Sequence, residues 1–521
     1  MNSGIIRNAL VCDGTGSKSR CRDLKFENGI ITEIGKNLSG GLPEYPADGL
    51  LLTPGFIDIH AHSDLSLIAA PDACGKLSQG VTTEISGNCG LSPFPVLTEE
   101  VRDHLNSVYR KYGIPVSWND FSGYVSAVEQ RKPAVNFAAF CGYNTLRANF
   151  SGYEDSPLTE SRIAEMKILL SAMLEQGAAG LSTGLLYVPG KFAPEREICS
   201  VASALKGTGK PISTHLRSEG DFLIESVQEA VRIAAAGDNR LQISHLKTAL
   251  PGNWHKIDRL FQMIRTARKN GCRIHADRYP YVHAQTSLSV ILPPPWESMS
   301  DAAILNDLRD DLEKQRKLLE KLKKDPPAWE RIILCSTAYP EAADHAGSPY
   351  LEICTRLKTS PEELCVKLMA ADAPGTMAAF GGLSEQNMMR ILLDRDVCCG
   401  SDDTARPADF SLGKSHPRGF GSFPKFFRIV SETLGTEEAV RKMTSLPAEI
   451  CNLKDRGILK RGCAADLVLL DPAKFRDRAD FRSPHTLADG VEMVFVNGTL
   501  SFFDGKVVGH AGCALRIKNR R

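Results

Sequence analysis

Eight apolar segments, each closing on polar residues and each separated from the next by helical stretches, constrain this chain more than any other feature. They are residues 57–62, 81–89, 135–143, 180–186, 211–217, 241–247, 273–281 and 397–402. Amphipathic helical patterns intervene, for example at 160–176, 222–236 and 256–270. Strand and helix in repeated alternation build a parallel sheet with helices packed on it. Eight such units predict an α/β fold, a (β/α)8 TIM-like barrel. In that architecture the C-terminal strand ends meet at one mouth, so the polar tips should converge.

The two ends of the chain have a different texture. Residues 5–12, 21–27 and 30–34 read as short strands, with Asn28-Gly29 as a tight turn. Residues 466–470, 491–496 and 506–509 repeat the style, with Asn497-Gly498 and Asp504-Gly505 as hairpin turns. A small β-sandwich built from both termini is expected. The division is then 1–53 for its first part, 54–451 for the barrel and 452–521 for its second part. One stretch breaks the alternation. After Pro293-Pro294-Pro295 a charged amphipathic helix is expected, with Leu308, Leu312, Leu319 and Leu322 on its apolar stripe. It reads as part of an insertion, about 288–345, near the barrel mouth.

Composition excludes several function classes. The net charge is +1, which gives no electrostatic reason to expect nucleic acid or a membrane surface as a partner. Apolar runs are too short to span a bilayer. The start Met1-Asn2-Ser3-Gly4-Ile5 lacks a basic stretch followed by an apolar core, so no secretory signal is expected. Fifteen cysteines, odd in number and scattered through apolar segments, suit a reducing cytoplasm rather than a disulfide framework. A homo-oligomer is left open.

The strand ends carry the chemistry. His60 and His62 lie two apart, so on a strand they share one face. The second segment ends in Cys89, within the turn-like Gly87-Asn88-Cys89-Gly90. The fifth gives His215, the sixth His245 and the eighth Asp402. Imidazole, thiolate and carboxylate are all zinc ligands, and a catalytic zinc keeps one position open. Six such donors at the mouth of one barrel can hold one or two zinc ions.

Several motifs resemble the amidohydrolase superfamily, and within it the D-aminoacylases, which are N-acyl-D-amino-acid deacylases. They are Ser78-Gln79-Gly80-Val81-Thr82-Thr83 with Gly87-Asn88-Cys89-Gly90, Gly180-Leu181-Ser182-Thr183-Gly184-Leu185-Leu186-Tyr187, Thr214-His215-Leu216-Arg217, Ile243-Ser244-His245 and Asp277-Arg278-Tyr279-Pro280-Tyr281. Gly400-Ser401-Asp402, His416-Pro417-Arg418, the stretch from Arg441 to Ala448 and Ala464-Ala465-Asp466-Leu467-Val468 follow in order. The likeness spans nearly the whole chain. It implies a tight zinc site of Cys89, His215 and His245, and a second, weaker site of His60, His62 and Asp402. It implies hydrolysis of the amide of an N-acyl-D-amino acid, a small-molecule substrate. Zinc would lower the pKa of a bound water, the nucleophile, and polarise the carbonyl. Asp402 would act as general base and then general acid.

An α-carboxylate on the substrate needs cationic or hydroxyl partners. Lys247, Arg418, Tyr187 and Tyr281 supply them, and Arg grips carboxylates in a two-pronged way. Three stretches depart from the family pattern: Gly142-Tyr143-Asn144-Thr145-Leu146-Arg147, Val282-His283-Ala284-Gln285-Thr286, and a long loop from Asp402 to His416. All three fall where the acyl or side-chain pocket is expected.

Three other readings compete. Gly180-Leu181-Ser182-Thr183-Gly184 matches a G-x-S-x-G nucleophile elbow, with Asp402 and His416 following in serine-hydrolase order. The residues before it, Gln176-Gly177-Ala178-Ala179, are not the strand an elbow requires. A cyclic-amide hydrolase of the hydantoinase or dihydroorotase type is a second alternative among metal hydrolases. A non-catalytic scaffold would be expected to have lost some of the donors, and all six are present.

Overall fold

A computed structural model describes residues 2–519; Met1, Arg520 and Arg521 lie outside the described residues. Every one of the eight segments contains a strand. Phe56–Asp58, Val81–Ser86 and Asn136–Ala139 form one parallel arc. Cys141–Gly142, Leu181–Gly184, Ile212–His215, Arg240–Ile243, Arg273–Arg278 and Val397–Cys399 form a second, also parallel. Phe140 alone separates the arcs in the chain. Its N–H donates to Ser86 O at 2.9 Å, and Cys141 N–H donates to Gly180 O at 3.0 Å. At the other junction Asp402 N–H donates to His60 O at 2.8 Å, His62 N–H donates to Asp403 O at 3.0 Å, and Ala61 pairs with Asp403.

These strands are buried on both faces, which is why their sequences run apolar instead of alternating. They are also shorter than the apolar segments. The first ends at Asp58, so His60 and His62 sit just past it. The helices follow their sequence signals. Glu160–Gln176 starts at Thr159, whose hydroxyl accepts the Arg162 N–H, and stops at Gly177 in the left-handed region (φ 116°). Ile257–Lys269 buries Ile257, Leu260, Ile264 and Ala267, one stripe at helical spacing.

Both termini share one nine-stranded sheet. Leu51–Pro54 pairs antiparallel with Leu467–Leu470 and so joins the two ends. Leu51–Pro54, Glu44–Pro46 and Thr499–Phe503 belong to it in addition to the strands read from sequence. Asn28-Gly29, Asn497-Gly498 and Asp504-Gly505 all have positive φ at both positions, the geometry of tight hairpin turns.

The segment between Arg273–Arg278 and Val397–Cys399 is a substructure with its own core. Ala284–Ser287, Met377–Phe380 and Ile332–Ser336 form an antiparallel sheet, and helices including Asp301–Leu308, Leu312–Lys324 and Pro361–Asp372 pack on it. Leu288, Trp296, Leu318, Tyr350 and Leu368 are buried in that core. Its elements extend past both ends of 288–345. The single amphipathic helix expected there is two. The Asp311 carboxylate accepts the Lys314 N–H at 3.0 Å and starts a second helix, which resets the phase of the stripe. Leu312 is therefore 79% exposed, and Leu318 and Leu322 are the buried pair, with Leu319 packed beside them. Among the described residues no helix is long and apolar enough to cross a membrane.

Candidate metal centre and active site

The six predicted donors converge. Ligand atoms of Cys89, His215 and His245 all lie within 4.8 Å of one another, and so do those of His60, His62, Cys89 and Asp402. Cys89 Sγ is shared. It stands 3.4 Å from His60 Nε2 and 3.5 Å from His245 Nε2. Asp402 Oδ1 lies 3.1 Å from His62 Nε2 and 3.4 Å from His60 Nε2. Cys89, His245 and Asp402 all have φ in the left-handed region, at 54°, 37° and 53°. L-residues pay for that conformation, and such strain gathers at functional sites.

The donor set fits a divalent metal on a structural observation. Among the described residues both ring nitrogens of His215 are buried and make no hydrogen bond of ordinary geometry, and the ring faces the Cys89 thiol. A buried imidazole in that state costs free energy unless another ligand satisfies it. Its ring lies 4.6 Å from that of His245, centroid to centroid.

The electrostatics favour an ionised thiol. Burial alone would push Cys89 up, but the imidazoles of His60 and His245 outweigh it and hold it well below the usual thiol range. Burial likewise opposes ionisation of Asp402, yet Arg418, His60 and His245 hold its carboxyl well below the usual carboxylate range. Burial pulls His62 down, and Asp402 with Cys89 reverses this and raises it to about 10. Bound metal takes the place of such imidazole protons.

Of the four expected substrate contacts, three surround this cluster. Lys247 Nζ lies 2.8 Å from His245 Nδ1 and pairs with Glu219. An Arg418 guanidinium nitrogen lies 2.8 Å from Asp402 Oδ2. The Tyr187 ring is 4.8 Å from that of His215, and its hydroxyl is 3.2 Å from Thr286 Oγ1. Tyr281 is placed differently. Its hydroxyl donates to Asp477 at 3.4 Å, and its ring packs on His416.

Sequence reasoning missed the residues that hold the donors. Asp277 Oδ1 lies 3.0 Å from His60 Nδ1 and accepts the His245 N–H at 2.9 Å. Its signal was its place at the end of an apolar strand, within a quoted motif. Glu219 Oε1 lies 3.0 Å from His245 Nδ1; it sits in a loop, where no periodicity marks it. Asp58 accepts the backbone N–H groups of both His60 and Ser401, and the fully buried Lys76 ammonium donates to it at 2.6 Å. The Arg278 and Arg418 guanidinium carbons lie 4.1 and 4.6 Å from the centroid of the Tyr279 ring, whose hydroxyl is buried with no hydrogen-bond partner among the described residues.

Ser182 is not a nucleophile elbow. It lies inside the Leu181–Gly184 strand, fully buried, with its hydroxyl donating to Gly87 O and accepting the Gly90 N–H. His416 is buried too, its Nδ1 accepting the Arg418 N–H at 3.0 Å.

The chain is similar to known proteins along nearly its whole length. Residues 45–277 and 395–502 match the amidohydrolase family, and the gap between them coincides with the inserted substructure. The chain is 31% identical to an N-acyl-D-aspartate deacylase of Alcaligenes xylosoxydans xylosoxydans over 512 residues, 97% of this chain and 93% of that one. It is 31% identical to a D-aminoacylase of the same organism, over 98% of this chain and 97% of the relative. The structure of N-acyl-D-glutamate deacylase from Bordetella bronchiseptica, complexed with zinc and a phosphonate inhibitor that mimics the tetrahedral intermediate, superposes with a TM-score of 0.82 at 28% identity, covering 98% of this chain and 99% of that one. With its strand-end donors in place and its relatives matched along nearly its full length, the chain belongs to the amidohydrolase family, in its D-aminoacylase branch.

Proposed function

We propose that this protein is a metal-dependent hydrolase of the amide bond in N-acyl-D-amino acids. The observation that carries the reading is the buried Cys89, His215 and His245 cluster, in a chain alike along its length to deacylases of such substrates. We read the two strand arcs as one closed barrel, spanning 54–451 with the inserted substructure, and the stretches 1–53 and 452–521 as one β-rich domain. The scattered, odd set of cysteines suits a reducing compartment.

Cys89, His215 and His245 would hold one zinc ion tightly, and His60, His62 and Asp402 would hold a second more weakly. The chemistry such an ion supplies is polarisation of the amide carbonyl and a lowered pKa for water. The protein's own residues do the rest. Asp402, held ionised beside Arg418, takes a proton from the attacking water as the new C–O bond forms. It passes that proton to the amide nitrogen as the C–N bond breaks, leaving a carboxylate and a free D-amino acid. Lys247 and Arg418 would bind the substrate α-carboxylate, with the Tyr187 hydroxyl as a further substrate contact. Tyr281, turned to Asp477, acts through packing on His416.

The test is metal analysis of protein purified without chelator, together with turnover of N-acetyl-D- and N-acetyl-L-amino acids. Bound zinc and selective release of D-amino acids are expected. Equal turnover of both enantiomers defeats the stereochemical part, and activity retained after complete metal removal defeats the mechanism.

A further inference from the structure

Between the ends of the Phe56–Asp58 and Val397–Cys399 strands a lysine ammonium is buried completely. Lys76 lies in the short helix Cys74–Leu77, which the Gly75 N–H ties to the Arg406 carbonyl at 3.1 Å. Burial alone would strip its proton, but Asp58 and Glu84 outweigh burial and keep it charged. Its Nζ donates to Asp58 Oδ2 at 2.6 Å, to Ser401 Oγ at 3.0 Å and to the Asp403 carbonyl at 3.4 Å, and Glu84 Oε2 lies 3.5 Å away. An ammonium so enclosed is costly, and apolar side chains of similar volume often serve stability as well or better. Stability alone does not account for Lys76; the atoms it gathers do.

Every group that accepts from Lys76 leads to the second set of donors. Asp58 Oδ1 accepts the His60 N–H at 3.2 Å and the Ser401 N–H at 2.9 Å, and Asp58 Oδ2 accepts from the Ser401 hydroxyl. The Asp403 carbonyl that Lys76 reaches also accepts the His62 N–H at 3.0 Å. Asp402 lies between Ser401 and Asp403, so its backbone is held on both sides, and its own N–H donates to His60 O at 2.8 Å. At φ 53° it depends on that hold, because an L-residue adopts such a conformation only at a cost. Cys89, His215 and His245 hang on other groups. The Gly90 N–H beside Cys89 donates to Ser182, the His245 N–H donates to Asp277, and His215 ends the Ile212–His215 strand.

We propose that Lys76 is a positioning residue that sets the His60, His62 and Asp402 half of the centre and leaves the Cys89, His215 and His245 half to other groups. The proposal rests on the two-site hydrolytic reading above. Groups that orient ligands without touching the ion are typically worth 10- to 100-fold in metal affinity. Without Lys76 the second ion should loosen by roughly that factor, and Asp402 should lose the alignment that proton transfer needs.

The experiment titrates metal-free, full-length protein with zinc and follows binding by calorimetry; kcat and KM are measured with one equivalent of zinc. Two binding steps are expected in the parent. Lys76→Met should weaken the second step by roughly 10- to 100-fold and leave the first unchanged. It should lower kcat by up to roughly 10²-fold, the cost of a misplacement near 1 Å, with KM nearly unchanged. A merely structural role would weaken both steps together, and that outcome overturns the proposal, as does a second step left intact. Lys76→Met leaves Asp58 buried without its cation, so two further proteins guard against failure to fold. Ser401→Ala and the double variant Lys76→Met, Asp58→Asn create no unpaired buried charge, and each should weaken the second step alone. Behaviour of the parent tests the underlying reading separately. If the parent takes up a single ion, the two-site reading fails and kcat decides: its loss with that ion retained upholds the hold on Asp402, and full kcat ends it. If the parent hydrolyses no N-acyl-D-amino acid, the hydrolytic reading fails and the second binding step decides. With neither a second step nor turnover, reading and proposal fall together.

Discussion

His60 Nδ1 lies 3.0 Å from Asp277 Oδ1, and that carboxylate oxygen also accepts the backbone N–H of His245. One side chain thus fixes a histidine from each half of the proposed centre. Its second oxygen accepts from Gln242 Nε2 at 2.9 Å, so the carboxylate itself cannot turn. Outer partners of this kind set the tautomer and direction of a ligating imidazole.

Asp277→Asn should therefore weaken metal binding by roughly 10- to 100-fold, as loss of such partners usually does. The fold should persist, because the amide keeps the size of the carboxyl. Competition with a chromogenic chelator measures the affinity. An unchanged affinity would show that the two histidines orient themselves.

Cys89→Ala and Asp402→Ala should separate two roles. Loss of the thiolate removes a donor of the tight site that also lies against the second group of donors, so metal content and activity should fall together. Loss of Asp402 should leave the ion on Cys89, His215 and His245 but lower kcat by roughly 10²–10⁴-fold, the usual worth of a positioned proton carrier. Metal analysis beside kcat distinguishes them. Full activity in Asp402→Ala excludes it as the proton carrier.

How much of this could be read in the chain follows from what each signal depends on. Fold class was legible because apolar runs in a parallel sheet are local, and all eight strands formed where those runs lie. The convergence of His60, Cys89, His215, His245 and Asp402 was legible because each lies at the end of such a run. Asp277 ends one too, yet its partnership with His60 joins residues 217 positions apart, and no spacing encodes that. Tyr281 shares a motif with Asp277, but Asp477, from the C-terminal part of the chain, draws its hydroxyl away. Leu312 was misplaced because a capping Asp311 restarts a helix that apolar spacing alone would run through.

Two histidines outside the centre should contribute to the loss of stability in mild acid. Burial pulls His275 and His104 from the ordinary 6.5 down to about 4. Above pH 6.5 neither the folded nor the unfolded chain holds these protons. Between 6.5 and 4 the unfolded chain binds them and the folded one does not, so stability falls as pH drops. Below about 4 both states are protonated and the trend levels off. Each half-buried group contributes at most about 3 kcal/mol across that window. Denaturant midpoints from pH 7 to 4.5 measure it, and the double variant His104→Gln, His275→Gln should show a shallower slope. An unaltered slope assigns the acid sensitivity elsewhere.

The last prediction concerns a residue with no side chain. Gly184 ends the Leu181–Gly184 strand beneath Cys89, and a Cβ built on it would stand 1.9 Å from the Cys89 carbonyl oxygen. No side-chain rotation relieves that contact, because the opposing atom is backbone. Cys89 already sits at φ 54°, so its turn has little freedom to retreat without moving Sγ. The same carbonyl turn passes Gly90, whose own Cβ position is filled by Asn144 Oδ1 at 2.2 Å. Gly184→Ala should therefore displace the thiolate and lower metal affinity, although it alters none of the six donors. Gly252→Ala, where nothing lies within 4 Å, is the control that should leave affinity unchanged. Should Gly184→Ala bind metal like the parent, the position of Cys89 would have to be set by something other than this backbone contact.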